Sequence, residues 1–213
     1  RRSSDLIHIL LPGGYAFSQK FGEVLFLDGT YKTNCKGLPV LMLSVEDGFG
    51  KSRVVQVSLI VSECAAVLRS ALSFYRAHGG GTTPATIMID KDLREASAIR
   101  SEFPCTRILL CRWHVVKYLN EKISSTVPGR ETKKEAAHFV SGMTYAKTEE
   151  EYEENWEQLR SLLQSGEARK TSGDRKEFLE YFRRNWHDSS QRRLWAQHGR
   201  NRSEERRVGK ECR

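Results

Sequence analysis

The stretch VLFLDGTYKTN, residues 24–34, and its counterpart PATIMIDKDLRE, residues 84–95, decide the fold. Each opens with a short run of branched or large apolar side chains, Val24 to Leu27 in the first and Ala85 to Ile89 in the second. Such runs are too short for helices and have the composition of buried strands. Each ends in an aspartate, Asp28 and Asp90. If the two strands lie side by side and parallel, their carboxylates converge at one sheet edge. Two acids a few ångströms apart are stable mainly when a divalent cation neutralises them. The pair is the beginning of a two-metal phosphoryl-transfer site.

Outward from these runs, strand and helix signals alternate. Residues 38–45 read as a second strand, EDGFGKS (46–52) as a hairpin turn and residues 53–61 as a third strand, an antiparallel meander with the first. Ser62 is placed to cap a helix running to about Ala77, ended by HGGGTTP. The Asp90 strand follows. Asp92 with Glu95 forms a capping box opening a helix to about Phe103, Pro104 stops it, residues 107–111 read as a fifth strand, and a helix begins near Trp113. The order βββαβαβα predicts a mixed five-stranded sheet of the α/β class. From about Pro128 the pattern turns helical and highly charged. Thr148 with Glu151 and Asp174 with Glu177 make two further capping boxes, and Tyr152, Trp156, Leu159, Leu163, Phe178, Phe182 and Trp186 stand at helical spacing as core stripes.

Composition bounds the function. The chain has 213 residues, 38% of them hydrophobic, enough for one sizeable core and a helical annex. No apolar run reaches the ~18 to 20 residues that span a bilayer, so no membrane role is expected. Five scattered cysteines, an odd number, argue against a disulfide framework. A net charge of +8 suits a polyanionic partner. Part of that charge sits in the final segment RSEERRVGKECR, which reads as the in-frame translation of a common sequencing-library adapter and carries five basic against three acidic residues. The expected organisation is a truncated N-terminal segment (1–21), a core (22–127), a helical insertion (128–201) and the adapter scar (202–213).

Taken together, LFLDGTYKTN, the strand ending in DGFG, TIMIDKDLREASAIRSEFPCTRILLCRWHVV and the helical region after it resemble the Mutator-like element (MULE) transposase domain, most closely its version in zinc finger SWIM domain-containing proteins of types 1 and 3. The resemblance runs from about Gly22 to Trp195. It implies a ribonuclease H-like fold with a C-terminal helical insertion, in which Asp28 and Asp90 match the first two acids of an Asp-Asp-Glu triad and Cys111 and His114 match a Cys-x-x-His element. It implies DNA as partner, the nucleus as location, and Mg²⁺ or Mn²⁺ as cofactor, with Asp28 bridging two ions and Asp90 holding one. It leaves two functions open, a domesticated DNA-binding or regulatory module and an active transposase that cleaves and transfers DNA strands.

The third acid is not placed by the sequence. Glu204 and Glu205 fall in the adapter-like tail, and Glu177 and Glu180 fall inside an insertion helix. Glu63 would serve only if the domain were a ribonuclease H proper. Cys111 and His114 have the spacing of half a Zn²⁺ site and lack a second CxxC or HxxxH half, so a buried thiol and a helix-start histidine is the plainer reading. Asp92 reads as a cap, and His138 and His187 as surface or boundary residues. Lys32, Lys36, Lys51, Arg94, Arg112 and Lys117 are the cations placed to meet phosphate near the carboxylate edge.

Overall fold

The computed structural model describes residues 7–30, 37–62, 64–90, 93–164 and 172–200, with backbone alone at residues 93, 94 and 172–174. The chain falls into two compact units that divide between Leu109 and Leu110.

The first unit is built on a six-stranded sheet of order β1-β4-β3-β2-β5-β6. Its strands are β1 (Ile7–Leu10), β2 (Val24–Thr30), β3 (Val40–Glu46), β4 (Ser52–Leu59), β5 (Thr86–Ile89) and β6 (Arg107–Leu110). β2, β3 and β4 form the antiparallel meander, and β5 adds to the free side of β2 in parallel. Val24 to Leu27 and Thr86 to Ile89 are buried without alternation. Strands covered on both faces need apolar side chains at every position, which is why these two runs are continuous. The five strands β4-β3-β2-β5-β6, meander first and helix-linked strands after, make this an α/β ribonuclease H-like fold with helices following at the C-terminal end.

The sixth strand is a departure from the five expected. β1 pairs antiparallel with β4, Ile7 opposite Leu59 and Leu10 opposite Gln56. It runs into helix α1 (Gly14–Phe21), and together they give order to a stretch the sequence offers only as an N-terminal segment. Gly14 lies so close to β4 that a Cβ there would meet the Val55 carbonyl oxygen at 2.5 Å. Only glycine lets this helix begin against the sheet.

Helices α2 (Ala65–His78) and α3 (Leu93–Glu102) pack against each other. The residue capping α2 is Cys64, in extended backbone, and not Ser62, so the helix starts later than its Ser-based signal indicates. Leu68, Leu72 and Tyr75 of α2 join Leu25, Leu43, Val45, Ile87 and Ile99 in a core of side chains at or below 1% exposure. Gln56, a long polar side chain buried in it, is held through its amide, which donates to Ser58 Oγ at 3.0 Å and to the Ala71 carbonyl at 2.9 Å.

The second unit is helical. It contains α4 (Arg112–Thr126), α5 (Arg130–Tyr145), α6 (Glu149–Gln164), α7 (Ser172–Phe182), a π-helical turn (Arg183–His187) and α8 (Ser189–Trp195). The Thr148 capping box forms, with Thr148 Oγ1 accepting from Glu151 N at 3.2 Å and Glu151 reaching back to the amide of Lys147 at 2.7 Å. Glu149, Glu150 and Glu151 fill the first turn of α6, where the helix dipole favours negative charge. Tyr152, Trp156, Phe178, Phe182 and Trp186 are buried together with Trp195. Phe178, Phe182 and Trp186 recur every four residues, a spacing that drifts around a regular α-helix. The wider π turn takes more residues per turn and brings Trp186 back toward the core.

Candidate functional site

Asp28 sits in β2 opposite Met42 of β3. On its other side β2 pairs with β5 in parallel register, Val24 with Thr86, Leu25 with Ile87 and Phe26 with Met88. Two residues further along each strand stand Asp28 and Asp90, at equivalent positions on neighbouring parallel strands. Neighbouring strands are ~4.8 Å apart, and residues two apart share a face. The two aspartates therefore project from the same face at the same edge, as their places in the sequence suggest. Burial changes at these positions: the four residues before each are buried, while Asp28 is exposed and Asp90 half-buried. The pair leaves the core just where a hydrated ion can reach it.

Two oxygen donors on rigid strand ends fit a hard cation such as Mg²⁺ or Mn²⁺, which typically takes one or two carboxylates and fills its remaining positions with water or substrate phosphate. Among the described residues no group of three or more His, Cys, Asp or Glu side chains converges as a metal site. Of the other acids considered, Glu63, Asp92, Glu204 and Glu205 lie outside the described residues. Glu177 accepts from Lys122 Nζ at 3.0 Å and Glu180 pairs with Arg184, both on an exposed helix surface. Glu95, in the first turn of α3, is a carboxylate at 6% exposure, deeper than a capping-box partner needs to be.

Cys111 lies between β6 and α4, buried, and its carbonyl accepts from Val115 N at 3.0 Å. It is a free thiol. His114 stands one turn on, half-buried, with its ring edge-on to Trp113 at 4.8 Å.

The cations named for phosphate contact separate into groups. Lys51 is in the β3–β4 turn, beyond the Val45–Leu25 pair and so at the opposite end of β2 from Asp28. Strand rise alone puts ~10 Å between those ends, so Lys51 is excluded from the carboxylate edge. Arg112 lies over the Tyr145 ring and donates to Gln197 Oε1 at 3.0 Å, and Lys117 lies over Trp113. Lys32, Lys36 and the Arg94 side chain lie outside the described residues.

The sequence context of His187 points to the surface or its boundary. It is half-buried, a boundary position, and its ring packs against two aromatic rings, 4.3 Å from Trp156 and 5.8 Å from Tyr152, with Nδ1 3.3 Å from the Tyr152 hydroxyl. Burial pushes its pKa down. The four-residue spacing of Tyr152 and Trp156 is visible in the sequence; that the π turn would bring His187 to them is not.

The sheet order defines an α/β ribonuclease H-like domain, with Asp28 and Asp90 at equivalent positions on two neighbouring strands. Residues 15–109 match the family model of the zinc finger SWIM domain-containing protein 1/3 RNaseH-like domain. Protein FAR1-RELATED SEQUENCE 5 of Arabidopsis thaliana is 28% identical over 104 residues, which are 49% of this chain and 13% of that protein. The chain thus spans a small part of the length of this relative. Among solved structures, the HTLV-2 integrase catalytic core domain in complex with magnesium aligns over 59% of this chain and 88% of its own, at 14% identity and a TM-score of 0.28.

Proposed function

We propose that this is the ribonuclease H-like domain of a MULE-derived, SWIM-type protein that works in the nucleus as a DNA-binding, regulatory module and keeps the carboxylate pair of its transposase ancestor. The observation that carries the reading is the register of Asp28 and Asp90, since nothing in the packing of a sheet calls for two acids side by side. The basic balance of the chain, +8 overall of which five basic against three acidic residues put +2 in the adapter-like tail, supports a polyanion as partner through the +6 that remains. Similarity to the SWIM zinc-finger proteins favours a regulatory role over transposition.

The second reading, a DNA strand-cleaving and strand-transferring enzyme, is favoured by the same two aspartates. Asp28 and Asp90 would hold a divalent cation, which when bound supplies a polarised phosphodiester and an activated water or 3′-hydroxyl. What the chain itself provides is aim: both carboxylates are fixed by strands whose preceding four residues are buried.

Calorimetric titration with Mg²⁺ or Mn²⁺, with and without duplex DNA, tests both readings on the native chain and on Asp28→Asn and Asp90→Asn. DNA binding without cleavage identifies the regulatory module. Metal binding lost in both variants, together with metal-dependent nicking, identifies the enzyme. A chain that binds neither DNA nor metal refutes both.

A further inference from the structure

In the helical unit, a groove with a volume of about 540 Å³ opens between α6 and α7 and is lined by Trp156, Arg160, Gln164, Lys176, Leu179, Glu180, Arg183 and His187. Its charge is one-sided. Glu180 is taken by Arg184, one turn on. Arg160 is paired to Glu157 on its own helix. Lys176 and Arg183 are exposed and have neither ion pair nor hydrogen bond among the described residues. The acids of α6 crowd its first turns instead, and two of them, Glu149 and Glu153, are bound by Arg192. α6 therefore carries its carboxylates in the stretch from Glu149 to Glu157 and presents Arg160 to the groove beyond them. The π turn contributes both its first and last residues, Arg183 and His187, to the groove wall; irregular turns of this kind are common at binding sites.

We propose that this groove is a binding site for the phosphodiester backbone of DNA, with Lys176 and Arg183 as its phosphate contacts, Arg160 as a third when it leaves Glu157, and the apolar floor at Leu179 and Trp156 receiving the sugar edge. The proposal rests on the DNA-binding reading above and goes beyond it, because the matched domain ends at residue 109 and the groove lies wholly after it. Unpartnered cations around an apolar floor suit a ligand whose charge is regular and whose backbone between charges is not strongly hydrated. A carboxylate-rich peptide shares the charge and is the competitor to exclude.

The test is fluorescence anisotropy of a labelled duplex oligonucleotide with the full chain, its Lys176→Glu and Arg183→Glu variants, and Lys134→Glu as a control of equal charge change on α5. Both groove residues are exposed, so circular dichroism should show the variants folded. Each groove variant is expected to weaken binding about ten-fold and to reduce the slope of log affinity against log salt by ~1, as expected when one phosphate is no longer neutralised. Lys134→Glu should leave the slope unchanged. Equal weakening by all three substitutions overturns the site and leaves diffuse attraction in its place. Displacement of the oligonucleotide by polyglutamate at equal charge concentration overturns DNA as the occupant. Binding by the native chain that neither groove variant alters overturns the groove while the DNA-binding reading stands, whereas no binding by the native chain overturns both.

Discussion

Asp28 and Asp90 stand at matching positions on adjacent parallel strands, each two residues past the Phe26–Met88 pair. Like charges directly opposite each other on a sheet repel, and cross-strand pairs are worth roughly 0.2 to 1 kcal/mol in either direction. A neutral side chain in place of either acid removes that repulsion.

Replacing either acid by its amide should therefore stabilise the metal-free protein and remove its response to divalent ions. Asp28→Asn is expected to raise the melting temperature in chelator by about 1 to 3 °C, the shift that a gain below about 1 kcal/mol produces at this chain length. Millimolar Mg²⁺ or Mn²⁺ should raise the melting temperature of the native chain and not that of the variant. A native chain indifferent to both ions would show that the pair holds no metal. Differential scanning fluorimetry across an ion series reads all of this.

The β3–β4 turn offers a second prediction. Asp47 Oδ1 accepts from the amides of Phe49 at 2.9 Å and Lys51 at 3.0 Å, while Oδ2 accepts from Arg53 Nε at 2.8 Å. Desolvation pushes the Asp47 pKa up, but the Lys51 amide, Arg53 and the Phe49 amide together outweigh it and hold the carboxyl below its ordinary 3.8. A carboxylate with a depressed folded pKa contributes stability that is complete above the unfolded value and disappears as pH falls through the folded one. Asp47→Asn should lower the urea midpoint at pH 7, and the gap between variant and native chain should close as pH falls below the ordinary 3.8 and through the lowered folded value, a window set by the direction of this shift. A gap that persists at low pH would mean that the turn depends on shape and not on charge.

How much of this is legible in the sequence differs from element to element, for physical reasons. β2 and β5 can be read because a strand buried on both faces has to be apolar throughout, and the acids ending them stand out against that run. β1 cannot, because a four-residue edge strand with Ile7 and Ile9 half exposed has no pattern to separate it from a loop. α1 is eight residues long and begins beside two glycines, so propensity argues against it, and only its contact with Val55 accounts for it. Grouping Lys51 with the carboxylate edge puts it at the wrong end of the sheet, although the antiparallel order already fixes its place: a chain that turns after β3 does so beside the start of β2. The carboxylate pair is legible as residues and as geometry; a complete metal-ligand set is visible neither in the sequence nor among the described residues.

Trp195 anchors the aromatic core of the helical unit. Fully buried, it donates from Nε1 to the Trp186 carbonyl at 3.1 Å and meets Trp186, Phe182 and Tyr152 edge-on. Trp195→Ala removes the largest kind of side chain from a site with no solvent access and is expected to cost about 3 to 5 kcal/mol. Trp195→Phe keeps part of the volume but leaves the Trp186 carbonyl without its indole donor, at a further cost on the order of 1 to 3 kcal/mol relative to a filled site. Urea titration followed by circular dichroism separates the two, and a loss below about 1 kcal/mol for the alanine variant would contradict this packing.

His187 and His198 make the same unit sensitive to mild acid. Both rings contact Tyr152, His187 stacked at 5.8 Å and His198 edge-on at 5.2 Å. For both, burial is the main cause of a pKa below the ordinary 6.5, and Arg192 adds to it against the opposing pull of nearby glutamates, Glu153 among them. The unfolded chain thus binds protons that the folded chain refuses. Stability should be full above pH 6.5 and fall as pH drops from there through the lowered folded values, the reverse of a histidine held by an acid. His187→Phe keeps a ring against Trp156 while removing the titrating group, so its urea midpoint should change less between pH 8 and pH 5 than that of the native chain. At pH 8 the variant should be the less stable of the two, because the Tyr152 hydroxyl loses its partner at 3.3 Å. Parallel pH profiles for variant and native chain would show that His187 accepts a proton as readily in its ring stack as it does in water.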